Sequence, residues 1–365
     1  MTVVATGPIA RGRAGVHGRR PGAWPVAVIL VTLLILSMLL AATVGAAGIP
    51  LSRLPAALYL AAADPANGFA ARDQLVLWQV RIPRIALAAM IGGALGAAGA
   101  IMQGLFRNPL ADPALVGVAS GGALAAAGAI VFSDSRFAGH LVMLQPYLLP
   151  LAAFAGSLLT TVLLYRIASH GGRTSIALFL LAGLAIAAIA NAGIGLLVFV
   201  ADDRQLRDIT FWLLGSLSGA TWSKAATVAP VLAVGLAGMM MVSRGLDVLI
   251  LGESEAFHSG IHVERLKRIC IVLVSALTGA AVSTCGVIGF IGIVVPHLLR
   301  LVIGPSHRLL LPASVGLGAI LLVGADTLAR TIVAPAEMPI GILTATVGAP
   351  VFLLILLRQR GLVGL

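Results

Sequence analysis

Few residues in this chain are equipped for chemistry, and their types and spacing exclude most enzymes. A P-loop needs Gly-Lys-Ser/Thr at its phosphate cradle, yet the only lysines, Lys224 and Lys267, follow Ser223 and Leu266. HExxH, CxxC and GxSxG are all absent from the sequence. His258 and His262 have the i,i+4 spacing of a helical metal pair, but Gly260 lies between them and no third ligand is near, so a solvated loop is expected. His297, beside Pro296 and three residues before Arg300, reads as a packed histidine at the end of an apolar segment. Asp326 is an acid within an apolar run, the kind of residue that relays protons in membranes. Arg330 lies four residues later on the same helix face, which favours an ion pair instead. What remains is a set of isolated polar residues, Arg81, Arg84, Gln103 and Asn108, at the ends or in the middle of long apolar stretches. Such residues can meet a passing solute or a partner; they cannot transform one. No metal site or resident cofactor is expected.

The elements that position these residues are membrane spans. The chain has 365 residues, 59% of them hydrophobic and 10% charged, with a mean hydropathy of +1.07. A soluble domain needs far more polar surface; a multi-span bundle needs little outside its loops. The net charge of +11 comes from 24 Lys and Arg scattered through short loops, so it implies no nucleic acid. In the topology below, 15 of those 24 fall on the cytoplasmic side and 9 outside, the direction of the positive-inside rule. Arg11, Arg13, Arg19 and Arg20 precede an apolar run from Pro25 to about Ile49, longer than a signal-peptide core. Residues 1–24 are therefore expected as a cytoplasmic basic tail before an uncleaved first span. Cys270 and Cys285 share one span and would sit ~22 Å apart along a helix, beyond disulfide reach.

Hydropathy predicts spans at about 25–48, 83–105, 114–132, 141–165, 175–200, 225–243, 269–285, 291–302, 310–329 and 339–357. The expected fold is all-α: a polytopic membrane protein of about ten transmembrane helices, one domain over 25–360, both termini cytoplasmic. Residues 48–78 read as an outer loop carrying an interfacial helix, Ser133–Arg136 as an outer turn, and ITFWLLGSLSG as a half-buried helix at the membrane surface. The polar insert at about 244–268 reads equally as a solvated loop or as a docking helix that offers Phe257 to a soluble partner. Gly92, Gly96 and Gly99 fall on helical spacing, which lets helix backbones approach closely in lipid. The stretch from Arg81 to Leu124 organises the whole, because its polar ends would lie on opposite sides of a bilayer.

Several motifs occur in a fixed order: RIPR at 81–84, Gln103 followed by RNPLADP at 107–113, GVASGGA at 117–123, FWLLGSLSG at 211–219, LGESEA at 251–256, GVIGFIGIVVPHLLR at 286–300, GPSHRLLLP at 304–312 and EMPIGILTATVGAPVF at 337–352. In these the chain resembles the FecCD-type permease family, the membrane subunits of ATP-binding-cassette importers for iron-siderophores, cobalamin and haem. The resemblance implies a type II ABC importer permease fold in the cytoplasmic (inner) membrane. It also implies pairing with a second permease subunit, identical or a sibling, with two ATPase subunits that carry ATP and Mg, and with an extracytoplasmic substrate-binding protein. Iron-siderophore import is the expected function, cobalamin or haem import the alternative. Arg81, Arg84 and Arg330 match outer-surface arginines that receive acids of the binding protein. Asn108 and Leu110 match a cytoplasmic gate, Thr174 and Ser175 a second gate, and Asn191 falls on a span that lines the family's pathway. Leu251, Gly252, Glu253, Ala256, Phe257 and Gly260 match the segment that couples to the ATPase; Ser259 stands where leucine is usual. A proton-coupled carrier dependent on Asp326, or a membrane scaffold, are readings of other classes.

Overall fold

The computed structural model describes residues 22–363 apart from 46–47, 60–69, 114–116, 133–144 and 172. The basic tail up to residue 21 and the turn at Ser133–Arg136 lie outside them. The described chain is helical almost throughout: α1 (Ala23–Thr43), α2 (Ala70–Leu105), α3 (Val118–Phe132), α4 (Gln145–Ala168), α5 (Ile176–Val200), α6 (Asp203–Leu213), α7 (Trp222–Leu249), α8 (Glu253–His258), α9 (Val263–Cys285), α10 (Ile291–Ile303), α11 (His307–Thr331) and α12 (Ile340–Val363). Two short strands, β1 (Ser169–His170) and β2 (Arg173–Thr174), pair antiparallel between α4 and α5. Among the described residues, seven helices are long and apolar enough to cross a bilayer: α1, α2, α4, α5, α7, α9 and α11. Shorter apolar helices, α3, α10 and the first part of α12, stand where three further spans were expected.

The bundle is built around α2, which is buried on nearly every side from Pro83 to Leu105. It packs most extensively on α11 and also touches α7, α9 and α10. Glycine makes this possible. A Cβ added at Gly92 would lie 2.3 Å from the Gly318 carbonyl oxygen, at Gly96 2.3 Å from that of Ser314, and at Gly99 1.9 Å from that of Gly292. Since lipid tails are as apolar as the side chains, close backbone contact supplies the dispersion energy that hydrophobic exclusion cannot. The same device joins α3 to α4, where a Cβ at Gly121 would sit 1.8 Å from Thr160 Oγ1. By contrast α5 turns most of its surface outward, with only Phe179, Gly183, Ala190 and Ile194 buried.

Three element boundaries differ from expectation. The second span begins not at residue 83 but at Ala70, because the helix continues through a widened turn in which the Ile82 N–H donates to Leu77 O. Pro83 follows that turn; an i→i+5 loop absorbs the clash and missing donor that a proline imposes on the turn before it. The surface helix starts at Asp203, earlier than ITFWLLGSLSG, because Asp202 and Gln205 form a capping box; it stops at Leu213, where Gly215 adopts φ +71°. The polar insert is mostly helical. α7 continues to Leu249 with Val242, Gly245, Leu246 and Leu249 buried at helical spacing, and α9 starts at Val263, which leaves only Ile250–His262 to turn the chain.

Candidate functional site

Polar side chains concentrate around Arg84 of α2 and at its C-terminal end, about 30 Å apart at 1.5 Å per residue. At the first, Arg84 donates from Nε to Asp326 Oδ1 at 2.9 Å and Oδ2 at 3.1 Å, and from Nη1 to Glu337 at 2.9 and 3.0 Å. Arg330 Nε lies 3.2 Å from Asp326 Oδ2, so the i,i+4 ion pair expected from sequence is present and Arg84 joins it. The C-terminal carbonyls of α1 complete the cluster: Arg330 Nη2 donates to Ala41 O at 3.1 Å and Arg81 Nη1 to Ala42 O. Cations placed here answer the partial negative charge at a helix C-terminus. Gly45, at φ +147°, threads between the two guanidinium groups, and a Cβ there would meet Arg81 Nη2 at 3.2 Å. Arg53 pairs with the buried Asp73 at 3.3 Å nearby.

This arrangement corrects one expectation. Arg81, Arg84 and Arg330 were expected at an exposed surface, and they are 3%, 5% and 8% exposed. An arginine in the membrane has to find acceptors, and within this chain the acids and the α1 carbonyls provide them. Glu337, whose side chain is 42% exposed, is the accessible member of the cluster, whereas that of Asp326 is 2% exposed.

Two residues before the end of α2, Gln103 holds that helix to α10. Its Nε2 donates to Ile293 O at 3.2 Å, and its Oε1 accepts from Arg300 Nη1. Beside Gly104, against which the His307 ring lies, Asp247 of α7 caps α11, accepting from the His307 N–H at 2.6 Å and lying 2.9 Å from His307 Nδ1. His297 is buried on α10, as expected of a packed histidine.

At the second end, α2 gives way to a turn in which Asn108 Oδ1 accepts from the Leu110 N–H at 3.0 Å, while Arg107 adopts φ +50°. Asn108 is exposed and Leu110 half-buried. The β1–β2 hairpin lies beside this turn, and Phe106 packs against Phe179 of α5 with ring centres 6.4 Å apart. Thr174 ends the hairpin. Ser175 caps α5, its Oγ accepting from the Leu178 N–H at 3.3 Å. A cleft of about 700 Å³ brings Phe106, Arg107, Thr174, Ser175, Glu253 and Lys267 onto one wall. Thr174 and Ser175 thus share this cleft with Glu253, the first residue of α8, while Asn108 and Leu110 follow the lining residues Phe106 and Arg107 without lining it themselves.

α8 itself is short and pinned. Gly252, at φ +129°, admits the chain, Ala256 is buried, and Gly260 at φ +80° releases it. Leu251 and Phe257, each 71% exposed, are left pointing away from the bundle. His258 closes α8 while His262 precedes α9, so the two do not share a helix. No cluster of three or more metal-ligating side chains occurs among the described residues. Asn191 lies on the exposed side of α5, among Leu184, Ile189 and Leu196. Sequence reasoning missed Asp247 and Glu337 as parts of these networks, and also the ion pair of Glu264 and Lys267, 3.0 Å apart in the first turn of α9. The i,i+3 spacing of Glu264 and Lys267 was a readable signal; the remaining contacts link residues far apart in the chain.

Residues 33–358 match the FecCD transport family. The chain is 45% identical over 289 residues to the hemin transport system permease HmuU of Yersinia pestis, covering 78% of this chain and 84% of that protein. It is 42% identical over 305 residues to the cobalamin import system permease BtuC of Halobacterium salinarum, covering 83% and 79%. A solved structure, described as an inward-facing conformation of a metal-chelate type ABC transporter, superposes with a TM-score of 0.79 at 29% identity, over 92% of this chain and 99% of that one.

Proposed function

Because this chain belongs to the FecCD transport family and is a permease subunit of an ABC importer, we propose that it carries a bulky metal chelate, an iron-siderophore, across the cytoplasmic membrane by alternating access. Haem or cobalamin, named for the relatives above, is the second reading and fits as well. The observation that carries the mechanism is the cleft in which the turn after α2, the β1–β2 hairpin and α8 meet. Two such chains, or this chain and a sibling, form the pathway, with the α5 face around Asn191 on its wall. Asn108, Leu110, Thr174 and Ser175 narrow its cytoplasmic mouth. Each of two ATPase subunits receives Leu251 and Phe257, with Gly252, Glu253, Ala256 and Gly260 shaping the segment. ATP and Mg reside on those subunits.

At the outer end the binding protein docks over the arginine cluster. Because Arg84 is already paired, an incoming carboxylate reaches it by taking the place of Glu337, the accessible acid. Charge exchange of this kind sets orientation and on-rate more than affinity.

The test is gentle purification of the tagged chain from its native membrane, mass spectrometry of its companions, and uptake of iron-siderophore, haem and cobalamin into proteoliposomes holding the recovered complex. Co-purification of an ATPase and a binding protein, with ATP-dependent uptake of the siderophore, supports the reading. Uptake of haem or cobalamin alone replaces the substrate; uptake driven by a proton gradient with no ATPase present overturns the mechanism.

A further inference from the structure

Lys267 is buried at the cytoplasmic end of the bundle, its side chain 4% exposed, and its ammonium touches three separate elements. It donates to Glu253 Oε2 of α8 at 3.0 Å, to Glu264 Oε1 of its own helix at 3.0 Å, and to the Thr174 carbonyl oxygen of the gate hairpin at 3.1 Å. The other oxygen of Glu264 returns to the same place, accepting the Thr174 N–H at 2.9 Å. Both contacts to Thr174 are made with its backbone, so they fix the position of the hairpin whatever side chain stands there. A lysine ammonium has three N–H donors and no acceptor, and here each donor has one acceptor.

The set has a direction. Glu253 is the first residue of α8, the short helix whose Leu251 and Phe257 face outward, and Glu264–Lys267 is the first turn of α9. The hairpin, on the far side of Lys267, opens onto the cleft, which gives it space to move. Anything that shifts α8 must therefore stretch the Glu253–Lys267 contact or move Lys267 with it, and Lys267 holds the gate backbone. We propose that Lys267 is the positioning residue that transmits displacement of α8 to the Thr174–Ser175 gate. The inference rests on the importer reading, in which an ATPase engages α8.

The experiment uses the complete complex in nanodiscs. A reporter, His170→Cys, sits on the exposed arm of the hairpin; Cys270 and Cys285 are buried and give little background. Its reaction rate with a water-soluble maleimide is compared without nucleotide and with ATP and vanadate. With Lys267 intact the rate is expected to change by about fivefold or more, the lower bound of ordinary allosteric coupling. With Lys267→Met the two rates should converge although the ATPase remains bound, and Lys267→Arg, which restores the donors, should recover the difference. Should Lys267→Met not assemble, Glu253→Gln weakens the α8 link alone and is expected to shrink the difference in the same sense. A nucleotide-dependent change that persists at full size in whichever variant assembles overturns the proposal. If the unmodified chain binds no ATPase, the importer reading fails before any variant is compared.

Discussion

Replacing Arg84 by methionine isolates the largest electrostatic element in the structure. The guanidinium makes a two-point contact with Asp326 and a two-atom contact with Glu337, and its side chain is only 6% exposed. Removing one member of a buried pair costs about 3–5 kcal/mol, because the other is left charged in a low dielectric. Here Asp326 keeps Arg330 at 3.2 Å, and Glu337 can turn to water, so the expected loss is at the low end. About 3 kcal/mol corresponds to about two powers of ten in the folding equilibrium. Unfolding in mixed micelles can be followed by the reaction of Cys270 and Cys285, free thiols 0% and 3% exposed, with a fluorogenic reagent. A second variant sharpens the test. Arg84→Met combined with Asp326→Asn deprives the buried Arg330 of its acid as well, so it should be less stable than Arg84→Met alone, but by less than Asp326→Asn costs on its own. If Arg84→Met unfolds with the unmodified chain, or if the double variant loses the sum of both single losses, the buried-pair reasoning is wrong.

Three further outcomes are expected. Gly99→Ala, whose Cβ would meet the Gly292 carbonyl oxygen at 1.9 Å, should reduce folded yield sharply, while Gly128→Ala, with nothing within 4 Å, should be neutral or stabilise α3 by up to about 1 kcal/mol; both are read by the same thiol reaction. Glu337→Gln should let a docking carboxylate reach Arg84 with less competition, tightening the binding protein by about two- to fivefold with a steeper salt dependence in surface-plasmon titrations; weaker binding would mean that Glu337 itself contacts the partner. Phe257→Ala, at a side chain 71% exposed, should leave stability within about 0.5 kcal/mol but weaken ATPase association by about tenfold or more in pull-down titrations, as expected of an aromatic anchor.

Long apolar runs made the helical class readable from sequence, because spacing in lipid leaves the backbone little choice. The glycines of α2 were readable too, since small residues at helical spacing predict close packing whatever the partner. Boundaries failed where local signals compete with hydropathy. Asp202 and Gln205 start a helix that a hydropathy window places later, and Pro83 looks like a helix start although a widened turn carries the helix through it. The arginines failed for a different reason. Arg84 finds its acids 242 and 253 residues away, and no local pattern states that a charge at the end of a span will be neutralised by a distant helix. The Lys267 network mixes both kinds: its Glu264 partner lies three residues away, its Thr174 partner 93 residues away.

The glycine contacts of α2 also divide the molecule by how freely its sequence can drift. At positions 92, 96 and 99 the facing carbonyls exclude even a methyl group, so any change there alters the whole bundle. Leu181, Leu184, Ile189 and Leu196 of α5, each 64% to 70% exposed, touch little of their own chain and can be exchanged without loss of internal packing. Sequence change is therefore free on that face of α5, around a spine in α2 that cannot change.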